Sequence, residues 1–116
     1  MSKFKRQAIS PSRGLDRVDE RLISRAFDLM ERGLHMQALT ILEGVLKKNP
    51  RHYLAALNRG VCLSSIGRFD EAAKQFYSVH QTAPENLDVL QLCGESHLAA
   101  GYFDMAIQFL KRCIRA

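Results

Sequence analysis

Cys93 and His97 are the first residues of this sequence that could do chemistry. They lie four apart, one turn of a helix. That spacing suits two ligands of a metal ion, or a thiol and its base. Both also fall on an apolar stripe at helical spacing, so the plainer expectation is a pair of packed core groups. His35, His52 and His80 fall near turns and helix ends, where a ring serves as a cap or a surface group. Asp70 and Glu71 stand together at the expected start of a helix and complement its dipole rather than share a proton. The chain has no G-x-x-x-x-G-K-[ST] loop, no G-x-G-x-x-G, no H-E-x-x-H and no C-x-x-C. These residues predict no enzyme, no cofactor and no bound metal.

The elements that hold these residues follow from one interval. GLHMQALTIL runs from Gly33 to Leu42, GRFDEAAKQF from Gly67 to Phe76, and GYFDMAIQFL from Gly101 to Leu110, each 34 residues after the last. Before each glycine the apolar residues step by four, three and four. The sets are Leu22, Ala26, Leu29 and Gly33, then Ala56, Gly60, Leu63 and Gly67, then Leu90, Gly94, His97 and Gly101. Such steps draw one stripe along a helix, and glycine is the usual residue for the left-handed turn that ends it. A second stripe follows: Ala38, Leu42 and Val45, then Ala72, Phe76 and Val79, then Ala106, Leu110 and Cys113. Asp70 and Asp104 stand where the second helix should begin and are expected to cap it, whereas the first unit has Met36 there. Pro50 and Pro84 close two of the units, since proline cannot continue a helix. The small residues Ala26, Gly60 and Gly94, and Ala38, Ala72 and Ala106, mark where helices must come close. Hairpins of this length cannot bury their apolar faces alone, so they stack.

This pattern resembles the tetratricopeptide repeat, a 34-residue helix–turn–helix with small residues at fixed places and a closing proline. Gly60, Leu63, Gly67, Phe69, Ala72, Phe76 and Pro84 carry the likeness in the second unit. Gly94, Gly101, Phe103, Ala106 and Leu110 carry it in the third, and Ala26, Gly33, Ala38 and Pro50 in the first. The implied fold is all-α, a right-handed superhelical stack of three repeats over about 19–52, 53–86 and 87–116. Together these form one domain, 16–116, preceded by a flexible lead, 1–15. The family favours a large aromatic where Leu22, Ala56 and Leu90 stand. It often has Leu where Arg25, Arg59 and Cys93 stand. An arginine there can pack its stem while its guanidinium reaches an acid or the surface.

Charge and cysteine use bound the setting. The net charge is +5, but Lys3, Lys5, Arg6 and Arg13 place +4 of it in the lead, and the rest is nearly neutral. A basic arm could meet nucleic acid or an anionic surface. The repeats offer such binding little help, since no aromatic platform alternates with Lys or Arg. No stretch has the apolar length of a secretory signal or a membrane span. Three widely spaced cysteines, Cys62, Cys93 and Cys113, fit reduced thiols, and the expected location is cytoplasmic.

The resemblance implies an interaction module or adaptor that holds a peptide or helical segment of another protein in a groove lined by first helices. The residues expected to face that groove are Ile23, Phe27 and Met30, then Leu54, Leu57, Asn58 and Val61, then Asp88, Gln91 and Glu95. The first two units present an apolar strip and the third a polar, acidic end. The strip could instead be covered by the N-terminal lead or a second copy. Some members clamp a C-terminal carboxylate with Lys, Arg and Asn; only Asn58 fits that set here. A narrower reading resembles the three-repeat chaperones of bacterial type III secretion in architecture. The last helix carries Ile107, Phe109 and Ile114 outside its stripe, which makes it a candidate self-association surface and the chain a candidate homo-oligomer.

Overall fold

The computed structural model describes residues 17–115, and the predicted lead, 1–15, lies outside them. Among the described residues the chain is all-helical. The helices are α1 (Arg17–Glu31), α2 (His35–Lys48), α3 (Tyr53–Ser65), α4 (Phe69–Thr82), α5 (Leu87–Ala100) and α6 (Phe103–Arg115). They form three hairpins, α1–α2, α3–α4 and α5–α6, and each hairpin packs on the next.

The turn inside each hairpin is built the same way three times. Gly33, Gly67 and Gly101 have φ of 80°, 84° and 90°, a region that side chains with a Cβ disfavour. This lets the next residue donate its N–H back to the first helix. Leu34 reaches the Leu29 carbonyl, Arg68 reaches Leu63 and Tyr102 reaches His97, each at 2.8 Å. These bonds satisfy carbonyls that the helix end leaves free. The same residues, Leu34, Arg68 and Tyr102, are the last before the second helices, so the turn is as short as its hydrogen bonds allow.

Asp70 and Asp104 do not cap those second helices. The helices begin at Phe69 and Phe103, one residue before the aspartates rather than one after, so both aspartates lie in the first turn. There Asp70 complements the dipole and accepts a hydrogen bond from the Tyr102 hydroxyl at 3.0 Å, which ties the second hairpin to the third. The side-chain caps stand instead at the first helices of the later hairpins. His52 Nδ1 accepts from the Ala55 N–H, and Asn86 Oδ1 accepts from the Asp88 and Val89 N–H groups. His52 and Asn86 are one period apart, and each follows a proline-containing turn.

The core runs through all three hairpins. Ala38, Leu42 and Val45, their equivalents Ala72, Phe76 and Val79, and the first-helix residues Ala26 and Leu63 are buried. Asp19, fully buried, joins the start of α1 to the end of α2 through Lys48 Nζ at 2.8 Å. Close approach inside a hairpin depends on glycine. A Cβ on Gly60 would sit 2.6–2.9 Å from the Phe76 ring, and one on Gly94 would sit 2.5–2.7 Å from Leu110. The two contacts differ in how much the neighbour can yield. Phe76 is locked in the core, whereas Leu110 is only half-buried. Alanine at either place gains about 1 kcal/mol of helix propensity. Both also incur overpacking, roughly 1–3 kcal/mol at Gly60 and less at Gly94, where the partly exposed Leu110 can shift by enough to leave the two effects nearly balanced. Urea denaturation should therefore find Gly60→Ala destabilised and Gly94→Ala close to the wild type.

Candidate functional site

The inner wall is the face on which the sequence places the groove, carried by the first helices; α1 touches α3 directly, and residues of equal phase recur on α5. Its apolar strip is largely closed. Ile23 and Phe27 on α1 and Leu54, Leu57 and Asn58 on α3 are buried, Leu57 and Asn58 with at most 1 % of their surface exposed. These five residues are therefore floor rather than open surface, a correction to the expected groove lining. The physical reason is that Ile23, Leu54 and Leu57 belong to the continuous core, so the inner wall and the packing stripe share side chains. Met30 and Val61 are half-buried at the edge of that core. Asn58 donates to the Leu54 carbonyl at 2.9 Å, while its Oδ1 finds no partner.

The third hairpin is different. Gln91 and Glu95 on α5 are exposed, joined by a hydrogen bond from Gln91 Nε2 to Glu95 Oε2 at 2.9 Å. Asp88 is half-buried in the first turn of the same helix. Asn86 Nδ2 donates to the Tyr53 hydroxyl at 3.2 Å, which sets the start of α5 beside the start of α3, and burial, with the charge of Asp88, pushes the Tyr53 pKa up. Two apolar residues join this end of the wall: Leu92, half-buried and one period after Asn58, and Leu98, exposed and two periods after Met30. Leu98 was missed in the sequence reading. Shifting Met30 forward by two periods finds it.

Outside the wall, the junctions between hairpins depart from strict repetition. At the first, Arg59 Nε donates to Glu43 at 3.2 Å and its Nη1 to Gln75 Oε1 at 2.8 Å. One period later these three places hold Cys93, Tyr77 and Phe109. The second junction is thus aromatic: Phe109 packs against the rings of Tyr77, His80 and His97 at centroid distances of 6.2, 5.5 and 5.1 Å. Phe109 is buried, only 4 % exposed, and so does not belong to the self-association surface expected of it. The turn of α6 carries it towards α4 and α5, while Ile107 and Ile114 stay outside.

Cys93 and His97 are core groups, as the apolar stripe implies. His97 Nδ1 donates to the Cys93 carbonyl at 2.7 Å, and burial pushes the Cys93 thiol up to about 12, far from a reactive thiolate. Cys62 is likewise raised, to about 11. Among the described residues no group of three or more His, Cys, Asp or Glu is placed to hold a metal ion. No helix there is long and apolar enough to cross a membrane.

Three stacked hairpins of equal period, with glycine-closed turns and a shared inner wall, define an α-solenoid of helical repeats. Profiles of the tetratricopeptide repeat match residues 24–87 and 67–115. The chain belongs to the tetratricopeptide repeat family, a class of protein-interaction scaffolds. Solved structures share the fold. A MamA structure from Desulfovibrio magneticus RS-1 superposes with a TM-score of 0.80 at 22 % identity, over 96 % of this chain and 63 % of its own. MamA AMB-1 does so with a TM-score of 0.75 at 22 % identity, over 86 % of this chain and 58 % of its own. The chain thus spans about three-fifths of those structures. No curated protein matches it in sequence.

His80 gives the second junction a pH dependence. Burial, and then the nearby Arg112 guanidinium, lower its pKa below the usual 6.5. Arg112 Nη1 lies 3.4 Å from Nε2, a contact that requires this nitrogen to be the unprotonated acceptor. The unfolded chain gains the histidine proton near pH 6.5, while the folded chain resists it to lower pH. The unfolded state then binds more protons, so this stability is complete above about pH 6.5 and is lost as pH falls through the folded pKa. Thermal denaturation between about pH 7.5 and about pH 5.5 should show a smaller acid-side loss in His80→Gln than in the wild type.

Proposed function

We propose that the inner wall holds an extended or helical segment of a partner protein, with apolar anchors at one end and a basic residue at the other. The anchors would meet Met30 on α1 and Val61 on α3. The basic residue would meet Glu95 and Asp88. Ile23, Phe27, Leu54, Leu57 and Asn58 act as the floor that fixes the curvature of the wall, and a partner would feel them through shape. The observation that carries this reading is the change along the wall. In phase with the closed Ile23–Leu57 row stands open Gln91, and in phase with Phe27 and Val61 stands open Glu95. An acid on an otherwise apolar track selects for a partner charge and sets the direction in which the segment lies. The same wall supports an adaptor role and a chaperone role alike, since both need only a held segment.

Calorimetry with synthetic peptides of about ten residues tests it, each with Leu or Phe at one end and Lys, Glu or Ser at the other. Lys-ended peptides should bind, Glu-ended ones should not, and affinity should fall with salt. Glu95→Lys should weaken the Lys-ended peptides about tenfold, the equivalent of ~1.4 kcal/mol, while Glu85→Lys in the preceding turn leaves them unchanged. Equal affinity for wild type and Glu95→Lys would overturn the assignment.

A further inference from the structure

The outer face of α6 is apolar and open. Phe103, Ile107, Leu110 and Ile114 step by four, three and four along it, and Phe103, Ile107 and Ile114 are 61 %, 51 % and 84 % exposed. Translation by one period shows what this face is for. The equivalent places on α4 are Phe69, Ala73, Phe76 and His80, of which the last three are buried. On α2 they are His35, Leu39, Leu42 and Leu46, with Leu39 and Leu42 buried. Both α2 and α4 are covered by the first helix of the following hairpin. The face of α6 is therefore built as a stacking surface, with larger apolar groups than α4 carries at the same places: Ile107 for Ala73 and Ile114 for His80.

Charge decides which occupant fits. Head-to-tail stacking would bring α1 of a second copy onto α6. The edge of α1 carries exposed Arg21, Arg25 and Asp28; in head-to-tail register Arg25, one period before Arg59, would stand against Lys111, two periods after Glu43, so like charges would replace the Arg59–Glu43 pair. The arrangement on α6 itself is self-complementary. At 100° per residue, Asp104, Lys111 and Arg115 lie on one flank of the stripe, the acid at the N-terminal end and the bases at the C-terminal end. When two such helices pair antiparallel, equal flanks meet in reverse order. Asp104 of one copy then lies opposite Lys111 and Arg115 of the other, twice, about a two-fold axis.

We propose that this face of α6 is a homodimer interface, in which two copies pair α6 antiparallel through Phe103, Ile107, Leu110 and Ile114 with Asp104 set against Lys111 and Arg115 of the partner copy. One helix per copy buries an area at the small end of specific interfaces, below about 1,200 Å², so the dimer is a weak one that forms at micromolar concentration.

Sedimentation of the whole chain tests this, with circular dichroism as the check on folding. The wild type should pass from monomer to dimer between ~1 and ~200 µM, whereas Ile107→Asp should stay monomeric over that range with unchanged helix content. Charge reversal gives an independent arm that leaves the apolar face intact. Asp104→Lys alone, or Lys111→Glu with Arg115→Glu, should each weaken self-association about tenfold or more, and mixing the two variants should restore dimers as heterodimers. A wild type that remains monomeric at ~200 µM overturns the proposal, and in that case a following segment or a different protein is the natural cover. Dimers that survive Ile107→Asp place the interface elsewhere and overturn it too. Open-ended polymers, or reversed variants that fail to pair on mixing, exclude the antiparallel two-fold arrangement.

Discussion

The distance between the two helices of a hairpin sets everything else in this molecule. Helix axes come close only where one of them lacks a side chain, and in the second hairpin that place is Gly60 under the Phe76 ring. The ring fills the space that a Cβ would take. It reaches the core as a result, and buries nearly all its surface there. The glycine-closed turn a few residues later exists to bring the second helix back at this distance. The stack depends on both, because a wider hairpin would present a different spacing to its neighbour and break the common period.

Within that constraint the two junctions use different physics. The first is clamped by Arg59 between Glu43 and Gln75, a set of directional hydrogen bonds at a partly exposed site. Such bonds fix geometry more than they add stability, since exposed ion pairs contribute at most about 1 kcal/mol. The second replaces all three groups by Tyr77, Cys93 and Phe109 and gains ring packing instead. The aromatic junction encloses His80 and His97 as well. One repeat architecture thus holds a charged, polar junction and an apolar one that encloses two imidazoles.

The same alternation shapes the surfaces. The inner wall is closed and apolar where it adjoins the polar junction, and open and acidic on α5. The outer face of α6 is open and apolar. The chemistry of each exposed row follows from which repeat-to-repeat contacts the described hairpins leave open.

The period of 34 residues, the three helix-ending glycines and the small residues at the crossings were legible in the sequence because local geometry forces them. Only glycine takes a positive φ without strain, and only a small residue lets two axes meet. The stacking order was legible for the same reason. Three features were decided by tertiary structure. The aspartates of the second helices moved inside the first turn because turns of two or three residues left no room for a separate cap. Ile23, Leu54, Leu57 and Asn58 became floor rather than lining because the inner wall and the core share side chains, and a helical stripe does not reveal where one ends and the other begins. Phe109 went inward and Ile107 stayed outside because the second junction offered an aromatic pocket on one side of α6 only. Period fixes which residues are equivalent, and what each equivalent residue touches is fixed by its neighbours in space.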